Sequence, residues 1–198
     1  GPLAAPGTYK VRLAKRVEGV ETPIGEMQTF TVVPLYLSTM NDADRGKVLD
    51  FQRRASRLQK AILGAARATE EALTRVQYIR RAIDQTENVN PAIVQRVNAI
   101  DTTLRDINEA LTGDVVARAE AEPSLPSLLD RISTAVNGLT TTQPPTNTHR
   151  QALDTAEQQF VPLLAKLRQA VEVELGAIER ELNVAGAPWT PGRIPVWQ

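Results

Sequence analysis

Residues 48–83 read VLDFQRRASRLQKAILGAARATEEALTRVQYIRRAI, and within them Val48, Phe51, Ala55, Leu58, Ile62, Ala65, Thr69, Ala72, Val76, Ile79 and Ile83 recur at alternating spacings of three and four. That period lays these side chains on one stripe of a single helix, a heptad pattern with charged residues around the remaining face. Asn41 or Asp42 is placed to cap its start, and it must end before Pro91, because proline disfavours a helical residue ahead of it. At 1.5 Å per residue the helix would be roughly 65 Å long. Ala55, Ala65, Thr69 and Ala72 are small where a dimeric zipper favours Leu or Ile, so the stripe is expected to meet a larger side chain from a helix of the same chain.

Downstream, Ile93, Val97, Ile100, Leu104, Ile107 and Leu111 predict a second, shorter helix, with Asn90 as cap, Pro91 at its first position and Gly113 as its stop. Leu125, Leu128, Leu129, Ile132, Val136 and Leu139 predict a third, ending near Gly138. An exposed connection through Pro144 and Pro145 leads to a fourth, capped by Thr146 or Asn147, with Leu153, Ala156, Phe160, Leu164, Leu167, Val171, Leu175, Ile178 and Leu182 on one face. Pro162 should kink or break it near residues 158–161. Upstream, Tyr9–Leu13 and Phe30–Val32 alternate apolar and polar residues as strands do, and Ala14–Met27, with Gly19, Pro23 and Gly25, reads as a long connection between them. The expected fold is mainly α: an antiparallel four-helix bundle with two long helices, preceded by a small β-hairpin. The chain divides into a strand pair (1–37), a helical bundle (41–184) and an irregular tail rich in Trp and Pro (185–198). A lone hairpin is marginal in water, so this one should pack on the helices or complete a sheet supplied by something else.

Composition narrows the function classes. Across 198 residues, 23 Lys and Arg balance 23 Asp and Glu, which gives no general attraction to nucleic acid or anionic membrane. Without cysteine there is no disulfide, thiolate nucleophile or zinc–thiolate site. His149 is the one histidine, and with no second His or ordered acid near it in sequence it reads as a helix-start residue rather than a catalyst. Glu172, Glu174, Glu179 and Glu181 stand among basic and amide residues at helical spacing and read as a solvated face rather than an acid pair. Arg53, Arg54, Arg57 and Lys60 fall on the outward face of the first helix with no interleaved aromatics, so nucleic acid is not an expected partner. No phosphate-binding loop, nucleophile elbow or metal-binding motif occurs. The chain is expected to be non-enzymatic, with no cofactor and no metal. No apolar run approaches the length of a membrane span. The start, which lacks Met and opens almost at once into a strand pattern, reads as that of a fragment or processed product.

The run Gly1-Pro2-Leu3-Ala4-Ala5-Pro6-Gly7-Thr8-Tyr9-Lys10-Val11-Arg12-Leu13, followed by Gln28-Thr29-Phe30-Thr31-Val32, resembles the last two strands of an Ig-like or fibronectin-like sandwich. With the helical region and the ending Pro188-Trp189-Thr190-Pro191-Gly192-Arg193-Ile194-Pro195, the chain resembles the C-terminal region of bacterial secreted proteins with BNR-type β-propellers, labelled VPS10 (sortilin-like) domain-containing or glycosyl-hydrolase-like. Their Asp-box motif (Ser-x-Asp-x-Gly-x-x-Trp) does not occur here, so the hydrolase label does not carry over. The resemblance implies a periplasmic or extracellular setting and a non-catalytic terminal module. The expected partner is another protein domain or subunit, with peripheral association with a membrane complex as one setting. The expected interaction residues are Tyr9, Phe30, Trp189, Ile194 and Trp197. The alternative is an auxiliary domain that binds glycan through Trp189 and Trp197.

Overall fold

The computed structural model describes residues 4–34, 40–137 and 143–191. The chain is mainly helical. Strands β1 (Gly7–Val17) and β2 (Val20–Val32) precede α1 (Asp42–Asp84), α2 (Pro91–Thr112), α3 (Val115–Ala119), α4 (Leu128–Asn137) and α5 (Asn147–Arg168). A π-helical segment, Gln169–Leu175, carries α5 without a break into α6 (Gly176–Val184).

The side chain of Asn41 accepts from the amide of Asp44 at 2.8 Å and so starts α1. Along α1 the stripe from Ala55 to Ile79 is buried, while Val48, Phe51 and Ile83 at its ends are half-buried. In α2, Asn90 accepts from the amide of Ala92, Pro91 takes the first position, and Ile93, Val97, Ile100, Leu104, Ile107 and Leu111 are all buried. Gly113 ends the helix at φ 90, a conformation that favours a residue without Cβ, and donates its N–H to the carbonyl of Glu109.

Ion pairs between helices fix their directions. Arg54 reaches Asp154 and Glu157, and Arg75 reaches Glu179, so an advance along α1 is matched by an advance along α5 and α6. The two long helices therefore run parallel, not as the first and last members of an up-down-up-down bundle. The return path between them is divided between two shorter helices. Arg80 meets Asn98 and Asp101 across the α1–α2 corner, and α4 packs on both α5 and α1. A parallel pair can enclose one core because α2 and α4 supply the intervening layer.

Three further expectations change. α5 runs through Pro162 unbroken, and the irregularity falls later, in the π segment. Leu125 lies outside the third helix and is 88% exposed, because Pro126 excludes a helical residue before it and Ser127 starts α4. The Ser127 hydroxyl accepts from the amide of Asp130, whose carboxylate in turn accepts from the Ser127 N–H and O–H at 2.9 and 2.6 Å. Pro145 of the supposedly exposed connection is buried. Gly138 and Leu139, expected at the end of this helix, lie outside the described residues.

Candidate functional site

The connection expected over Ala14–Met27 is itself strand. Val17 pairs with Val20 across a two-residue turn, with Glu18 at φ 50 and Gly19 at φ 84. Positive φ at both positions twists the turn in the sense of the strands. Pro23 is accommodated opposite Ala14 because both strands of a two-stranded ribbon are edges, where a missing N–H costs no ladder bond. Gly25, at φ 71, lies in a bulge between the Val11–Gln28 and Leu13–Ile24 pairs.

Directly opposed residues share a face of an antiparallel ladder. One face therefore carries the pairs Tyr9–Phe30, Val11–Gln28, Leu13–Ile24, Lys15–Thr22 and Val17–Val20; the other carries Thr8–Thr31, Lys10–Thr29, Ala14–Pro23 and Arg16–Glu21, with Arg12. The ribbon is thus apolar on one side and polar, with a basic bias, on the other. The apolar side is bare: Leu13 is 68% exposed, Val20 67% and Ile24 51%. Among the described residues the ribbon packs on itself, with no extended contact to the helices. Isolated exposed aliphatic residues are ordinary on protein surfaces; here several share one strand face, interrupted by the Lys15–Thr22 pair.

Of the expected interaction residues, Tyr9 and Phe30 come together. Their rings stack with centroids 5.9 Å apart, and the Tyr9 hydroxyl donates to the carbonyl of Ala5 at 2.7 Å. The aromatic pair thus anchors the segment entering β1 at one end of the apolar face. Trp189 is an exposed residue of the stretch after α6, where Gly186 at φ 76 reverses the chain and Ala187 donates to the carbonyl of Leu182. Ile194 and Trp197 lie outside the described residues. Leu13, Val17, Val20 and Ile24, which share this face, were not among the expected residues, because Ala14-Lys15-Arg16 interrupts the alternation past Leu13 and only the register brings the four together.

The charged clusters are largely structural. Arg54, expected to face outward, instead holds Asp154 and Glu157, leaving Arg53, Arg57 and Lys60 exposed. These three cations share a helix face without the aromatic platforms that strand binding uses. Glu179, expected on a solvated face, is packed against Arg75, and Glu181 pairs with Arg96 at 2.6 Å. His149 accepts through Nδ1 from the amide of Thr146, while the Thr146 hydroxyl accepts from the amide of His149, which makes the histidine part of a helix cap. Bonds from Ser127 hold the Asp130 carboxyl below its ordinary value, with Arg118 acting in the same direction. Among the described residues no group of three or more His, Cys, Asp or Glu is placed to hold a metal ion, and no helix is long and apolar enough to cross a membrane.

No family model, curated protein or solved structure matches the chain. A functional reading therefore starts from its own surfaces, of which the hairpin face is the most distinctive.

Proposed function

We propose that this chain is a non-catalytic structural and protein-interaction module, an accessory or stabilising subunit docked on a larger periplasmic or membrane-associated complex. The observation that carries the reading is the uncovered apolar face of the β1–β2 ribbon. In this reading the ribbon is a partial Ig-like sheet whose apolar side packs on a second sheet, and the bundle of four amphipathic segments is the rigid body it joins to that partner. Sheet-on-sheet packing at about 10 Å suits alternate aliphatic residues flanked by an aromatic pair. The likeness of residues 1–13 and 28–32 to the final strands of a sandwich supports the same arrangement, in the C-terminal region of a sortilin-like, BNR-repeat secreted protein.

The test is affinity capture of the tagged chain from its native host beside the double variant Leu13→Asp, Ile24→Asp. The expected result is a stoichiometric protein partner that the variant loses while its helical content stays unchanged. A partner retained by the variant, or no partner with either protein, refutes the docking role.

A second reading, an auxiliary glycan-binding domain of a secreted hydrolase-like protein, is favoured by the 43% exposure of Trp189. Aromatic rings that stack on sugars must be open to solvent in this way. Affinity electrophoresis on polysaccharides should then show retardation that Trp189→Ala abolishes; unchanged mobility with every polysaccharide excludes it.

A further inference from the structure

Half-buried arginines in the helical region have a common arrangement. Arg54, Arg75, Arg80 and Arg96 each reach a carboxylate on a neighbouring helix. The side chain of Arg131, on α4 and equally half-buried, makes no ion pair or hydrogen bond among the described residues, and its Nε is shut off from solvent without an acceptor. Burying Nε removes part of the guanidinium's hydration with no protein acceptor in return, while the two terminal nitrogens, not closed off from solvent, are left to meet an external acceptor. The adjacent Asp130 does not relieve it, since that carboxylate is held by the N–H and O–H of Ser127.

Arg131 lines a cleft of about 790 Å³ between the α3–α4 connection, α4 and the first turns of α5. This lies within the range of about 300–1,000 Å³ usual for small-molecule sites. Leu125, Pro126 and Ala152 give it apolar walls, and Gln151, Thr148 and Thr155 add polar groups.

We propose that this cleft binds a small organic carboxylate, with Arg131 as the anchoring cation. A guanidinium presents paired donors that match the two oxygens of a carboxylate, and such charge-assisted pairs are among the stronger hydrogen bonds. The charge around the cleft selects the class. Arg118 and Arg131 are balanced by Glu122 and Asp130, so a monoanion neutralises the unpaired Arg131, whereas a phosphate dianion adds repulsion from the two carboxylates. The apolar walls provide for a hydrocarbon body behind the carboxylate. The Arg118 side chain donates to the carbonyl of Thr112, which ties the rim of the cleft to the end of α2.

Ligand-observed NMR titration of the full chain with benzoate, hexylammonium and inorganic phosphate tests the proposal. The expected result is saturable benzoate binding at millimolar concentration, weakened about tenfold or more by Arg131→Met, with weaker binding of phosphate and none of hexylammonium. Gln151→Trp, at an exposed position on the cleft wall, should block benzoate whether or not the arginine variant folds. No saturation with benzoate, equal binding by Arg131→Met, unchanged binding by Gln151→Trp, or phosphate bound as tightly as benzoate would overturn it.

Discussion

Removing Val173 should leave the helical region folded, whereas inserting one alanine after it should not. Buried residues along this long helix are Leu153, Ala156, Phe160, Leu167 and Ala170, then Leu175, Ile178 and Leu182. The interval from Ala170 to Leu175 is five residues, which in a regular α-helix turns about 500° and leaves Leu175 about 140° away from the buried stripe. The wider turn of the π segment absorbs that extra residue. Deleting exposed Val173 shortens the interval to four, about 400°, so a regular α-helix then keeps Leu175, Ile178 and Leu182 in place. Insertion lengthens it to six, about 600°, and carries all three to the opposite side. Each buried Leu or Ile is worth about 2–5 kcal/mol when truncated, so displacing three approaches the usual domain stability of about 5–15 kcal/mol. Urea unfolding followed by circular dichroism should place the deletion within about 1 kcal/mol of the parent and show the insertion partly or wholly unfolded. A deletion as damaging as the insertion would refute the explanation of the π segment.

Leu13→Asp should change the urea midpoint of the helical region negligibly, because Leu13 is largely exposed; a loss above about 1 kcal/mol would show that the ribbon supports the bundle. Asp101→Ala removes the acceptor of both Arg80 (3.2 Å) and Arg105 (3.0 Å) and should cost about 2 kcal/mol by chemical denaturation. The Asp130 carboxyl, lowered from 3.8 chiefly by the Ser127 hydroxyl, lends stability that is complete above the ordinary carboxylate range and lost as pH falls through its lower folded value. An NMR titration should find its midpoint below 3.8, and Ser127→Ala should move it upward.

The helical stripes and their ends were legible because each rests on local chemistry. Asn41 and Asn90 cap, Pro91 starts and Gly113 stops their helices as the residue types require, and the buried faces of α1 and α2 follow the spacing. The direction of the last helix was not legible, since parallel and antiparallel helices can bury the same stripe. The π segment was hidden because half-buried Leu164 and Val171 complete a regular spacing, while Ala170, the residue that is buried, breaks it. In the hairpin, Glu18 replaces the Asn or Asp usual before glycine in such a turn, and Pro23 and Gly25 concealed a strand that tolerates both. The site was therefore half legible: Tyr9 and Phe30 were read from the sequence, but the apolar face joining them to Val17 and Val20 required the register.

The most direct measurement of the docking role is photo-crosslinking in the native host from a photoreactive residue at Leu13, with Arg12 on the opposite face as the control. The expected result is a discrete protein adduct from position 13 at several times the yield from position 12, formed with a β-sheet of the partner. Equal yields from the two faces, or no adduct from either, would show that the apolar face of the ribbon is not a docking surface.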